Sequence, residues 1–276
     1  NKKPFYGSSI QELKDIIKNK KYTYLENEGS CTKVDIVPKY LDYLHKHINI
    51  QKKMNIAMDC GNSVGALVAP SIFKSNNIDL KEIYCDVDPD FPNHHPDPTV
   101  DNNLIDLIEC VLKNKCDFGI AYDGDADRVV AIDEKGNIIR PDILMSVFVN
   151  EIVKEGDTVV YDVKCSKALD ETIKKKQGTS IMWKTGHSHI KNKMIETQSK
   201  IGGEMSGHIF FADRYFGFDD GIYVSLRLAE LLSLKDVPLS YLVSKIPSYY
   251  STPEIRIDCN SDQDKFIITN KMVDYF

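Results

Sequence analysis

The sequence predicts an α/β protein: two tandem, similar three-layer α/β domains with mixed, parallel-rich sheets, then the start of a third, α+β unit. Three observations carry this expectation. At 276 residues the chain exceeds one average domain of roughly 100–200 residues. Short apolar runs of strand length alternate with segments of helical period, the order that builds parallel sheets. The alternation then restarts after residue 140, which puts a boundary within residues 136–141.

Each element follows from its residues. Residues 10–18 (IQELKDIIK) put Ile10, Leu13, Ile16 and Ile17 on one helical face. Residues 34–47 read as helix after Pro38. Residues 54–59 (MNIAMD) have a strand's length, and CGNSVG then turns into the helical ALVAPSIFKS, a strand–turn–helix opening of a βαβ unit. Residues 81–85 read as the next strand, and FPNHHPDP, with three prolines in eight residues, as loop. Residues 104–113 are helical, and residues 116–122 and 129–133 are strands with the turn EKGN after them.

The second round begins at Pro141, suited to a helix's first position, with that helix reaching residue 151. Residues 158–162 (TVVYD) and 180–183 read as strands around a helix at 169–176. Ser188 is placed to cap a helix ending at Thr197. Residues 209–211 are strand-like, and residues 221–234 (GIYVSLRLAELLSL) form the most regular amphipathic helix. A further unit is expected to start near Thr252-Pro253.

The composition, 42% hydrophobic and 28% charged with a net charge of −6, fits a globular chain and argues against a nucleic-acid binder. No apolar run approaches the ~20 residues of a membrane span, and no signal peptide opens the chain. Seven cysteines, with no C-x-x-C pair, fit free thiols in a reducing compartment better than a disulfide framework or zinc site. The chain opens on Asn1 and stops in a helical pattern at Phe276, and is expected to be a piece of something longer.

Residues 119–130 read GIAYDGDADRVV, with Asp123, Asp125 and Asp127 at alternate positions between apolar runs. In extended chain alternate side chains share a face, so the carboxylates converge and need a cation or protons to offset their charge. An all-oxygen donor set suits a hard cation, and Mg²⁺ with about six oxygens would keep about three positions open. Arg128 is placed to bind a phosphate or to steady a carboxylate. An EF-hand is disfavoured because Arg128 stands where that loop needs glycine and the flanks are strands. A solvated acidic turn is the other reading, and the position at the end of a parallel strand favours the metal.

GGEMSGH at residues 202–208 alternates Glu204, Ser206 and His208 between glycines. Their donors and acceptors on one face suit sugar hydroxyls, and a plain glycine-rich hairpin is an equal reading. WKTGHS at residues 183–188 leads a strand into a helix N-terminus, where free amides attract anions, with Lys184 and His187 alongside. Lys164 in DVKCS lies at another strand end and adds positive charge there. His94 and His95 match no metal-ligand spacing and read as parts of a rigid loop.

DGDADR, GEMSGH, MWKTGHS, DVKCS, FPNHHPDP and YFGFDDGIY, in these 276 residues, resemble the α-D-phosphohexomutase superfamily and, within it, the bacterial phosphomannomutase/phosphoglucomutase group. The resemblance covers essentially the whole chain. It implies the two middle domains of a four-domain, heart-shaped cytoplasmic isomerase that interconverts hexose 1-phosphate and 6-phosphate of mannose or glucose through a bisphosphate intermediate. It implies Mg²⁺ on Asp123, Asp125 and Asp127, and a glucose 1,6-bisphosphate-type activator. It implies a sugar loop carrying Glu204, Ser206 and His208, ligand-contacting positions at Lys164 and His187, and a reaction-site place for Arg128, Lys164 and His187. It divides the chain into residues 1–33 from the first domain, 34–138 as the metal-binding second, 139–250 as the sugar-binding third, and 251–276 as the start of the phosphate-gripping fourth.

Two family features are not matched. No segment resembles the Thr-Ala-Ser-His-Asn-Pro-type loop that carries the phosphoserine, and none resembles the Arg-x-Ser-Asn-Thr-type phosphate loop. The chain alone is therefore expected to be inactive, its missing partners being the first and fourth domains. Ala126 stands where glycine is commoner, which reads as a small change. A non-catalytic Mg²⁺ and sugar-phosphate-binding module, and a metal-carboxylate phosphohydrolase, are the alternatives. Neither a nucleic-acid nor a membrane partner is expected.

Overall fold

The computed structural model describes residues 4–24, 29–76, 78–250, 252, 258–259 and 261–275. After two leading helices, α1 (Ser8–Lys18) and α2 (Val37–His47), the first sheet begins. Its strands are β1 (Met54–Asp59), β2 (Ile78–Ile83), β3 (Phe118–Tyr122), β4 (Val129–Asp133) and the short β5 (Ile138–Ile139), in the order β2-β1-β3-β4-β5. β2, β1 and β3 are parallel, and β4 and β5 return antiparallel. A 3-10 turn at Val64–Leu67 and α3 (Ala69–Ser75) link β1 to β2, and α4 (Ile105–Asn114) precedes β3.

The second sheet repeats this plan. α5 (Pro141–Ile152), β6 (Thr158–Asp162), α6 (Lys167–Lys175), β7 (Thr179–Trp183), α7 (His187–Thr197), β8 (Ile201–Gly203) and β9 (Ile209–Phe211) follow in turn. The sheet order is β7-β6-β8-β9, with only β9 antiparallel. Then come α8 (Gly221–Lys235), α9 (Leu239–Val243) and α10 (Asp262–Tyr275).

Strand alternation assigns the layers. On β3, Phe118, Ile120 and Tyr122 face the large core, while Ala121 faces α4 with Leu107 and Val111. Gly119 also lies on the α4 side, where a Cβ would come within 2.6 Å of Val111. α7 covers the far face of the second sheet through Ile190 and Met194 against Val160 and Phe210. The near faces of both sheets share one continuous core, and α8 lies in it, touching both β4 and β9. Each fully buried Phe or Tyr there contributes about 1.5–3 kcal/mol.

α8 corrects a sequence expectation. It is not an amphipathic surface helix, because sheet residues flank it on both sides and twelve of its residues are buried. Its polar residues serve inside. Arg227, 6% exposed, pairs with Asp213 at 2.9–3.0 Å and lies 4.5 Å over the Phe211 ring. Glu230 and Ser233 accept the amides of Asn49 and Gln51. Asp220 caps the helix through the Tyr223 amide and accepts the hydroxyls of Tyr40 from α2 and Tyr215.

Other differences are local. β2 starts three residues earlier than the sequence pattern suggests, and β5, β8 and α9 carry too few residues to show a period. Ser188 does not cap α7; the helix starts at His187, with Gly186 as N-cap at φ 128°. The expected start of a further unit near Thr252-Pro253 falls mostly outside the described residues. Among the described residues no helix is long and apolar enough to cross a membrane.

The FPNHHPDP loop is fixed through His94. Its Nε2 lies 3.1 Å from the wholly buried Asp59, whose other oxygen accepts the Gly61 amide. The bond to Asp59 raises the His94 imidazole above its ordinary value against the opposing effect of burial. A raised histidine stabilises the fold fully below its unfolded value and loses that contribution as pH rises through the folded one. His94→Gln should therefore melt below wild type at pH 5–6, and the difference should shrink toward pH 9 in thermal melts.

Candidate functional site at the carboxylate loop

The aspartate loop leaves the end of β3, where the sequence places it. Asp123 is buried and held from two sides: it accepts the Arg128 amide at 3.1 Å and the Arg128 Nε at 2.6 Å. The Ser63 hydroxyl lies 3.0 Å from the Asp123 carbonyl. Asp125 is exposed and Asp127 half-buried, and all three carboxylates offer oxygens within 4.8 Å of one another. Burial raises the Asp127 carboxyl to about 6; the charges of Asp123 and Asp125 add to this and His208 opposes it. The donor set is all oxygen and Arg128 offsets only part of its negative charge, which fits a hard divalent cation.

Ala126 turns this loop at φ 59°. A methyl in the left-handed region costs roughly 1–2 kcal/mol, so the substitution is larger than it reads in the sequence. The Ala126 methyl is buried against Gly65, where an added Cβ would meet it at 3.1 Å.

The loop docks on the second sheet. Val129 donates its amide to Gly207, Arg128 forms an antiparallel bridge with His208, and Gly221 donates to the Ala126 carbonyl at 2.9 Å. Two glycines permit this contact. Gly207 has φ 110°, and a Cβ on Gly221 would lie 2.8 Å from the Arg128 oxygen and 2.9 Å from that of Ala126.

The sugar-loop candidates sit in the β8–β9 connection, so the hairpin reading and the site reading describe the same residues. Glu204, 3% exposed, accepts the Gly186 amide through one oxygen, and the Ser206 hydroxyl lies 3.3 Å from the other. An internal carboxylate thus occupies the amide at the start of α7, where the sequence suggested a free anion site. Asp162, wholly buried at the end of β6, gathers three loops: it accepts Thr185 Oγ1, the Met205 amide and the Cys165 thiol. These are the loops of WKTGHS, GEMSGH and DVKCS.

Asp219 gathers three basic side chains of the second half, and one of them, His208, reaches Asp127 of the first. The Asp219 carboxylate lies 3.0 Å from His187 Nδ1, 2.7 Å from Lys191 Nζ and 3.4 Å from His208 Nδ1. His208 Nδ1 is also 3.5 Å from Asp127, and its ring stacks on that of His187 at 5.3 Å. Burial alone would raise Asp219, but His208 and Lys191 outweigh it and hold Asp219 far below the carboxylate range. Burial opposes the charge of His208, yet Asp219, Asp127 and Glu204 together raise it. Asp219→Asn should therefore lower the His208 titration midpoint, read from the imidazole proton signals by NMR, while Asp219→Glu should keep it raised.

Of the residues singled out from sequence, Asp123, Asp125, Asp127, His187, Glu204, Ser206 and His208 lie where these loops meet. Arg128 steadies Asp123 and lies 3.5 Å from Asp97, so its guanidinium is engaged by carboxylates. Lys164 is exposed in the turn after β6. Sequence reasoning missed Asp162 and Asp219 as site residues. Each stood inside a quoted motif, Asp162 opening DVKCS and Asp219 within YFGFDDGIY.

Fold and site together define a paired α/β protein in which a carboxylate loop of one sheet meets a polar hairpin of the next. Residues 38–136 match "Phosphoglucomutase/phosphomannomutase, alpha/beta/alpha domain II" and residues 140–250 match "alpha/beta/alpha domain III". The chain belongs to the phosphoglucomutase/phosphomannomutase family and carries its domains II and III. It is 43% identical over 264 residues to a phosphomannomutase/phosphoglucomutase of Pseudomonas aeruginosa, covering 95% of this chain and 56% of that protein. It is 31% identical to a phosphomannomutase of Methanocaldococcus jannaschii, covering 98% and 61%. The crystal structure of a phosphoglucomutase/phosphomannomutase family protein from Burkholderia thailandensis superposes with a TM-score of 0.86 at 38% identity, over 90% of this chain and 54% of that one. The chain spans about half the length of the curated relatives it matches.

Proposed function

We propose that this chain forms the cation- and sugar-binding middle of a phosphohexomutase, an isomerase that interconverts hexose 1-phosphate and hexose 6-phosphate through a bisphosphate. The reading divides the chain between residues 138 and 139, with residues 1–33 and 251–276 belonging to flanking domains. The observation that carries it is the docking of the Asp123–Asp125–Asp127 loop directly on the Glu204–Ser206–His208 hairpin. Asp123, Asp125 and Asp127 would hold Mg²⁺, which when bound supplies positive charge for a phosphoryl group under transfer.

The chain's own residues do the rest. Arg128 aims Asp123. Glu204, Ser206 and His208 offer hydrogen bonds to sugar hydroxyls, while Asp219 sets His187 and Lys191 beside them. His208, kept chargeable by its carboxylate neighbours, is suited to exchange a proton with a sugar hydroxyl. Lys164, exposed in the turn after β6, would add positive charge for a phosphate.

The test uses the 276-residue chain. Glucose 1-phosphate at millimolar concentration with Mg²⁺ should shift the amide signals of Glu204, Ser206 and His187; signals that stay put would overturn the sugar-site reading. The same chain should give no coupled conversion of mannose 1-phosphate with glucose 1,6-bisphosphate present, because no segment of it resembles the family's phosphoserine loop. Turnover above background would sink that part.

A further inference from the structure

Cys60 and Cys85 lie outside that site and have no part in the reading above, yet they are built as a pair. Cys60 follows β1 and is wholly buried; Cys85 follows β2 and is partly exposed. Their sulfurs are 3.3 Å apart. The contact arises because Asp59 and Ile83 are register partners across β1 and β2, and Tyr84 at φ 51° then turns the chain so that Cys85 meets β1. A disulfide needs a sulfur separation of about 2.0 Å, so closure requires a shift of roughly 1.3 Å. That is within reach of side-chain rotation and a small backbone adjustment.

Such an adjustment has a short route to the carboxylate loop. The Ser63 hydroxyl donates to the Cys60 carbonyl at 2.6 Å and lies 3.0 Å from the Asp123 carbonyl. Ser63 is itself buried, and its amide also donates to the Cys60 carbonyl. One buried hydroxyl therefore connects the backbone at Cys60 to the backbone of the first cation-loop aspartate.

We propose that Cys60 and Cys85 form a reversible disulfide whose closure shifts the carboxylate loop through Ser63 and weakens its hold on a divalent cation. The co-reactant is a small-molecule disulfide. The Cys85 thiolate, the accessible member, attacks one sulfur of that disulfide and expels the other as a thiolate. Cys60 then gives up its proton and attacks the Cys85 sulfur, forming the protein S–S bond and releasing the second small thiol. Two protein thiols are oxidised and one small disulfide is reduced to two thiols. The hydrogen bond with Cys85 and burial keep Cys60 protonated at rest, so the first attack falls to Cys85.

The weakening of cation binding rests on the cation reading above; the bridge and the loop shift do not. The test oxidises the chain with oxidised glutathione and maps the product by peptide mass spectrometry, which separates this pair from the exposed Cys31. The expected product has lost two hydrogens, links Cys60 to Cys85 and returns to the reduced form with dithiothreitol. Its amide NMR signals at Ser63 and residues 123–127 move, and its Mn²⁺ affinity falls at least threefold. Cys85→Ser should show neither change. A stable glutathione adduct at Cys85 without bridging, a bridge elsewhere, or unmoved signals at 123–127 would overturn the proposal. Should the reduced chain bind no Mn²⁺ at all, the cation reading fails, while bridge and loop signals still decide the disulfide.

Discussion

Gly221→Ala is expected to lower the unfolding free energy by about 2–3 kcal/mol, the range of overpacking in a tight interface. The added methyl would lie 2.8 and 2.9 Å from two backbone oxygens of the aspartate loop. Neither a carbonyl nor a helix start gives way cheaply, so the Gly221–Ala126 hydrogen bond is lost as well. Urea titration followed by circular dichroism reads the change. Mn²⁺ affinity should fall in the same variant, because the loop is pushed off its support. A midpoint within experimental error of wild type would refute this account of the interface.

The second large effect concerns Asp127. Asp127→Asn should weaken Mn²⁺ binding at least tenfold and yet raise the stability of the cation-free chain at pH 8. Both follow from one fact: burial and neighbouring aspartates hold this carboxyl at about 6 instead of near 4. An ionised carboxylate with a raised value opposes folding above that value, and the penalty vanishes below its unfolded value. The stability gain of the Asn variant should therefore be full above pH 6 and fade toward pH 4. Adding Mn²⁺ should reverse the order, with wild type the more stable. Isothermal titration and thermal melts at several pH values test both parts, and a variant less stable than metal-free wild type at pH 8 would contradict the charge argument.

Much of this was legible in the sequence because it depends on local pattern. Asp123, Asp125 and Asp127 do meet, but through a turn closed by the Ala126 amide on the Asp123 carbonyl and not through extended-chain alternation; the strand on each side fixes where the loop emerges. Glu204, Ser206 and His208 were legible as polar residues set among glycines, and they too are gathered by a turn, closed by the Gly207 amide on the Glu204 carbonyl. What the sequence hides is who neutralises whom. Nothing local says that Glu204 reaches back to Gly186 or that Asp219 serves three bases at once. α8 misled because a helix with Arg227 and Glu230 looks two-faced until the connecting segments after β9 and before β1 cover its polar residues and supply Asp213 and the Asn49 amide as partners. The left-handed turn at Ala126 was hidden too, since alanine carries no sign of such a backbone.

The place of α8 bears on how the chain comes apart. By sequence it belongs to the second repeat, but it also covers Val129 and Ala131 of the first sheet. A genetic cut after Ile139 would respect the homology boundary and strip the first half of the wall that seals it. The N-terminal product should be an aggregation-prone molten species, not an independent domain. In this pair the stretch that a family model matches as a unit and the stretch that should melt as a cooperative body are different lengths of chain.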